Sequence, residues 1–277
     1  MIGIFDSGSG GLSVYREIAR ILPEQRYIYV SDSAHCPYGQ KSREFIRERA
    51  SVITEFLAGQ GCDVIVVACN TATAAAISYL RATYDIPFIG MEPAVKPAAL
   101  STRSGVIGVL ATAGTLKASN YLDLRDSIPE GLKVVDRVGE GFVELVESCD
   151  LESPYAERIV FGSVEPLVTR GADVLVLGCT HYPFLRPMIE KVATALAPER
   201  KFDIIDPAPA VARQLVRVMH DHGLLSDGER DAALALSEGA ESAEPYMITD
   251  DQRHNLEAYS SGPLSSIERI LSLIRKQ

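Results

Sequence analysis

One stretch of this chain occurs twice. Asp63-Val64-Ile65-Val66-Val67-Ala68-Cys69-Asn70-Thr71 reappears as Asp173-Val174-Leu175-Val176-Leu177-Gly178-Cys179-Thr180-His181. Each copy is a β-branched and leucine-rich run that ends in a cysteine followed by two polar residues. A short, unbroken apolar run is the pattern of a buried parallel strand, with the polar residues falling where the chain leaves the sheet. Open α/β sheets hold ligands just beyond the carboxyl ends of their strands. The repeat therefore commits the chain to a fold that presents two thiols at two equivalent strand ends.

The flanking sequence supplies the rest of such a fold. Ile2 to Phe5, Tyr27 to Val30, Asp63 to Ala68 and Ile86 to Ile89 read as strands. Gly11 to Leu22, Ser42 to Leu57 and Thr71 to Tyr84 carry helical spacing between them. A second series runs through Gly105 to Leu110, Lys133 to Asp136, a helix near Pro154 to Arg170, Asp173 to Leu177 and Phe202 to Ile205. This alternation predicts an α/β fold, with parallel sheets covered by helices. Ile2-Gly3-Ile4-Phe5-Asp6-Ser7 also aligns on Ile107-Gly108-Val109-Leu110-Ala111-Thr112, at nearly the separation of the two cysteine strands. Two matches at nearly the same separation predict an internal duplication into paired domains, since the period is too long for a solenoid. Beyond Asp206-Pro207 the expected elements are a helix over Ala210 to His222, a surface stretch from Gly223 to Glu244, an edge strand at Tyr246 to Thr249 and a terminal helix from Leu264 to Arg275. They have no counterpart in the first half.

The chain has 277 residues, room for one large domain or two of ordinary size. A formal charge of −10 argues against nucleic acid or an anionic membrane as a partner. No apolar run approaches the roughly 18 residues needed to span a bilayer. The opening Met1-Ile2-Gly3-Ile4-Phe5-Asp6 lacks the basic region of a secretory signal, so the cytoplasm is the expected compartment. Five cysteines without regular spacing read there as reduced thiols.

Cys36, Cys62 and Cys149 read as small buried hydrophobes. Cys69 and Cys179 differ, because each stands at the matching end of a repeat and precedes hydrogen-bonding side chains. A helix starting at each would aim its N–H groups at the sulfur, lowering the thiol pKa and holding an anion. The loop Asp6-Ser7-Gly8-Ser9-Gly10-Gly11 has the glycines of an anion-binding turn. It lacks the Gly-Lys of a phosphate loop and the third glycine of a dinucleotide fingerprint. Its Asp6 is expected to face the crevice that holds Cys69. Cys179-Thr180-His181 is a lone Cys-x-His pair without a second pair at metal-ligand spacing, so no metal is expected. His35, His220, His222 and His254 read as exposed or capping histidines.

Two facing thiols suit proton transfer on opposite faces of one carbon. One base removes a proton, one acid returns it from the other side, and the roles exchange in the reverse direction. A thiol with an unperturbed pKa of about 8.5 reaches either protonation state after modest shifts. Asp6 and His181 are placed to tune those protons. Neither a nicotinamide fingerprint nor a cofactor-lysine motif is present, so no cofactor is expected.

In these residues the chain resembles the glutamate racemases of the aspartate/glutamate racemase superfamily. Asp6-Ser7-Gly8-Ser9-Gly10-Gly11-Leu12, Asp32-Ser33-Ala34-His35-Cys36-Pro37-Tyr38-Gly39, Cys69-Asn70-Thr71-Ala72 and Gly178-Cys179-Thr180-His181-Tyr182-Pro183 are similar to the family's four motifs. The resemblance implies two flavodoxin-like domains with the site between them. The division is residues 1–93 with 208–277 as the first domain and 94–207 as the second. It implies that Cys69 takes the α-proton of D-glutamate and Cys179 that of L-glutamate, with Asp6, His181, Asp32 and Glu147 as further catalytic residues. Ser7, Asn70, Thr71, Thr180, Thr112 and Thr115 would bind the amino acid together with Asp6 and His181, and the Pro37-Tyr38-Gly39 turn would lie against it. His35 stands where many members carry arginine, and Glu144 where many carry proline. The implied role is supply of D-glutamate to peptidoglycan, by a homodimer. The alternatives are an aspartate or related racemase on the same scaffold, a one-cysteine lyase or isomerase, and a binding protein without turnover.

Overall fold

A computed structural model describes residues 1–238 and 255–274. Its strands are β1 (Ile2–Asp6), β2 (Tyr27–Ser31), β3 (Val64–Val67), β4 (Phe88–Ile89), β5 (Val106–Ala111), β6 (Lys133–Val138), β7 (Val174–Gly178), β8 (Asp203–Ile205) and β9 (Leu256–Ser260). Among the described residues they form two sheets, ordered β4-β3-β1-β2-β9 and β6-β5-β7-β8, and every pairing is parallel. Apart from β9 the two orders are the same. Written from the second strand, each half runs second-first-third-fourth, which is the arrangement the sequence repeat predicts.

The apolar runs become buried strands because helices cover both faces. β1, β3 and β7 are buried at every residue. Alternate side chains then enter different cores. Ile2, Ile4, Val64 and Val66 join a central cluster, while Phe5, Ile65 and Val67 join a cluster on the opposite face of the first sheet. In β7, Leu175 and Leu177 enter the central cluster, and Val174 and Val176 enter a third. The central cluster therefore spans both halves of the chain.

The helix Leu12–Ile21 buries Leu12, Tyr15, Ile18 and Ala19, the spacing of one helical face, and packs against the helix Ala208–Asp221. The expected helices at 42–57, 71–84 and 154–170 are present as Arg43–Gly59, Asn70–Thr83 and Pro154–Thr169. The strand expected over Ile86 to Ile89 keeps only its last two residues, Phe88 and Ile89.

The structure adds to the reading of the C-terminal part. The stretch from Gly223 to Glu244, read as surface, contains the mostly exposed helix Asp227–Glu238, which buries Ala233 and Ser237. β9 was not anticipated. It lies beside β2 with Tyr27 opposite Leu256 and Ser31 opposite Ser260. The strand expected at Tyr246 to Thr249 lies outside the described residues, as does His254. The terminal helix Ser265–Ile274 buries Ile267, Ile270 and Ile274. The chain thus returns to the first sheet after completing the second.

Candidate active site

Four strand ends bring the chemistry together. β1 ends at Asp6 and β3 leads into Cys69, while β5 leads into Thr112 and β7 into Cys179. In each sheet these are neighbouring central strands, where an open parallel sheet leaves its crevice.

Cys69 caps the helix Asn70–Thr83, and its Sγ accepts the Ala72 N–H at 3.4 Å. The thiol also donates to Ser7 Oγ at 3.8 Å. The lowering expected from the helix terminus does not prevail. Burial and the neighbouring Asp6 push the Cys69 thiol well above its usual range, outweighing the single Ala72 N–H. Cys179 is not a helix cap. A 3-10 turn over Tyr182–Leu185 follows it, and Pro183 there has no N–H to offer. Instead, His181 Nδ1 lies 3.8 Å from Cys179 Sγ. Both cysteines are nearly closed to solvent, at 5% and 7% exposure, and close enough that charge on Cys179 raises the Cys69 pKa further.

Asp6 is fully buried and links the two halves. Its carboxylate accepts the Ser7 and Gly11 N–H groups, each at 2.7 Å, and the Thr180 hydroxyl at 3.1 Å. Burial raises its pKa in spite of the positive His181 beside it. Ser13 Oγ donates to the Thr180 carbonyl at 2.9 Å, a second bond across the same seam.

His181, 1% exposed, pairs through Nε2 with Glu147 Oε1 at 2.8 Å. The same Glu147 oxygen accepts the Ser9 N–H at 2.7 Å and the Ser9 hydroxyl at 3.0 Å. Burial disfavours both charges, yet the pairing prevails. Cys179, Cys36 and Glu147 hold the imidazole pKa well above its ordinary value. His181 and Ser9 pull the Glu147 carboxyl down to about 2. The glycine-rich loop does bind anions, but they are this chain's own carboxylates. Its glycines are needed for close approach: a Cβ at Gly10 would stand 2.3 Å from His181 Nδ1, and one at Gly8 2.4 Å from Glu147 Oε1.

Three threonines meet on the other side. Thr71 Oγ1 lies 2.8 Å from Thr112 Oγ1 and 3.4 Å from Thr115 Oγ1, and the latter two are 3.0 Å apart. Gly39 lies against Thr112, where a Cβ would approach to 3.0 Å. Asn70, 3% exposed, has both side-chain amide atoms without a hydrogen-bond partner among the described residues. A buried amide left open in this way marks a place where a polar ligand fits.

Asp32 stands behind Tyr38. Its buried carboxylate takes Arg49 Nε and Nη2, both at 2.9 Å, the Tyr38 hydroxyl at 2.5 Å and His35 Nδ1 at 3.0 Å. Burial would raise its pKa, but these partners hold it well below the carboxylate range. Among the described residues its side-chain bonds go to this cluster rather than to either thiol.

Three participants were not singled out from sequence. Ser9 was part of the glycine loop, but its partner is distant in the chain. Arg49 sits on a helix with two other arginines, Arg43 and Arg47, and has no local signal. Cys36, read as a plain buried hydrophobe, is half-buried, and its Sγ lies with Glu147 and His181 in a group whose ligand atoms are all within 4.8 Å of one another.

Comparison with known proteins agrees with this geometry. The family model described as Asp/Glu/Hydantoin racemase matches residues 2–215. A glutamate racemase of Ectopseudomonas mendocina is 49% identical over 239 residues, 86% of this chain and 89% of that protein. The structure of Escherichia coli glutamate racemase with L-glutamate and the activator UDP-MurNAc-Ala superposes with a TM-score of 0.76 at 30% identity, covering 99% of this chain and 94% of that one. Glutamate racemase from Francisella tularensis with D-glutamate gives 0.74 at 25% identity, covering 100% and 93%. With its two strand-end thiols and this breadth of likeness, the chain belongs to the Asp/Glu/hydantoin racemase family, among its glutamate racemases.

Proposed function

We propose that this racemase interconverts L- and D-glutamate by passing the Cα proton between Cys69 and Cys179, without a cofactor. One observation carries the proposal: each half contributes a buried cysteine at the same strand end, and each cysteine has a different helper. Asp6 lies beside Cys69, and His181 beside Cys179. Relatives that bind L-glutamate and D-glutamate support the choice of substrate.

In this scheme Cys69, as thiolate, removes the Cα proton of D-glutamate. The C–H electron pair stays on carbon, which becomes planar, and the Cys179 thiol delivers its own proton to the opposite face. L-glutamate leaves with the thiol and thiolate exchanged, and the reverse turnover restores them. The substrate's ammonium group favours thiolate formation as it enters, offsetting the burial that holds the Cys69 proton in place. Asn70, with its open amide, binds substrate together with Ser7, Thr71, Thr112, Thr115 and Thr180. The Pro37-Tyr38-Gly39 turn closes one side, held from behind by Asp32 and Arg49. Glu147 keeps His181 oriented and charged.

Residues 1–93 with 208–277 form one domain in this reading and 94–207 the other, and substrate enters when they part along the Asp6–Thr180 and Ser9–Glu147 seam. The enzyme acts as a cytoplasmic homodimer that supplies D-glutamate for peptidoglycan.

Substrate identity is tested by incubating the purified enzyme in D2O with glutamate or aspartate and following deuterium at Cα. Both glutamate enantiomers are expected to exchange while aspartate stays protonated. Exchange into aspartate with inert glutamate would reverse the assignment.

A further inference from the structure

We propose that Cys36, Glu147 and His181 form a binding site for a soft divalent cation such as Zn2+, and that its occupation inhibits racemisation by pinning the two halves together. A thiol, an imidazole and a carboxylate are a zinc donor set, three protein ligands with a fourth position left for water. Their ligand atoms lie within 4.8 Å of one another. All three also converge on the Gly8 backbone: a Cβ built there would be 2.4 Å from Glu147 Oε1, 2.9 Å from Cys36 Sγ and 3.1 Å from His181 Nε2, so only a glycine lets the three donors gather against this loop.

Tetrahedral zinc with these ligands needs donor separations of about 3.3–3.6 Å. The His181–Glu147 contact, now 2.8 Å, would widen by about half an ångström to admit the ion. Of the three donors, Glu147 is already held in place, by Ser9 through two bonds. Two of the three donors can be approached, because Cys36 and Glu147 line a cleft of about 320 Å³ together with Pro37, Glu144 and Arg269. Arg269 opposes any cation in that cleft and Glu144 favours one. The net preference then rests on the sulfur, which selects Zn2+ or Cd2+ over Mg2+ or Ca2+.

Binding would release the Cys36 thiol proton and the Nε2 proton of His181 to solvent. The imidazole would then hold metal where it now holds a proton. Cys36 follows β2 in the first half, whereas Glu147 and His181 belong to the second, so the ion would bridge the seam. The inhibitory part of this inference rests on the parting of the two domains proposed above; the binding part does not.

The test is titration of the purified enzyme with Co2+, a coloured stand-in, followed by Zn2+. The wild type is expected to develop a thiolate-to-cobalt charge-transfer band that Zn2+ removes, and to lose racemisation under Zn2+ until a chelator restores it. Cys36→Ser should lose the band and require at least about tenfold more Zn2+ for half-inhibition, as loss of even an outer-shell partner costs about 10–100-fold in affinity. In unmodified enzyme, Zn2+ should also slow alkylation of Cys36, read by peptide mass spectrometry. No band in the wild type, an unchanged band in Cys36→Ser, or unprotected Cys36 would each overturn the site. A band with protection but no inhibition would reject the inhibitory role and keep the site.

Discussion

At the scale of residues, the pair of His181 and Glu147 makes part of the stability depend on pH. The Glu147 pKa falls from an ordinary 4.5 to about 2. Its stabilisation is therefore complete above about pH 4.5 and is lost as pH drops toward about 2. The His181 pKa is raised above its ordinary 6.5, so its stabilisation is complete below about pH 6.5 and is lost as pH rises through the elevated value. Both contributions coexist between these limits. Glu147→Gln is expected to destabilise the protein by about 1–3 kcal/mol there, the cost of removing one partner of a buried hydrogen-bonded pair. Urea unfolding at about pH 6 and about pH 2.5 checks this. The gap between wild type and variant should shrink at the acid end, and a gap independent of pH would contradict the pairing. Cys69, Cys179, Asp6 and His181 were legible in the sequence because repetition marked their positions. Ser9, Arg49 and Cys36 were not, since each acquires its role from a side chain far away in the chain.

At the scale of elements, strand ends were easier to read than helix starts. The two cysteines follow equivalent strands, yet only Cys69 opens a helix, because Tyr182-Pro183 interrupts the second copy with a 3-10 turn. The C-terminal part was least legible. β9 is Leu-Glu-Ala-Tyr-Ser, whose inward residues are few and whose partner β2 lies more than two hundred residues earlier. The helix Ser265–Ile274 did show its spacing, and it closes the molecule through Ile267, Ile270 and Ile274. Ile270 is fully buried in the central cluster. Ile270→Ala is expected to cost about 2–5 kcal/mol, measured by denaturant midpoint, because the cavity it leaves cannot fully collapse. A loss below about 0.5 kcal/mol, the level of an exposed substitution, would mean that this helix does not pack as described.

At the scale of the molecule, the two halves share one strand plan and depart from it at the site. The halves share the strand order second-first-third-fourth, and each order brings a first and a third strand side by side with their carboxyl ends at the site. The two copies differ beside the thiols. Asp6 at the end of β1 corresponds to Ala111 at the end of β5, and Thr71 corresponds to His181. Opposite faces of β3 and β7 enter the shared core, through Val64 and Val66 in one and Leu175 and Leu177 in the other. That difference was hidden in the sequence, since both strands are apolar at every position. If the two thiols divide one reaction between two faces, neither can act alone. Circular dichroism of glutamate racemisation, started from each enantiomer, checks this with Cys69→Ser and Cys179→Ser. Each single substitution is expected to abolish racemisation from both enantiomers. Full two-way activity in either variant would contradict it.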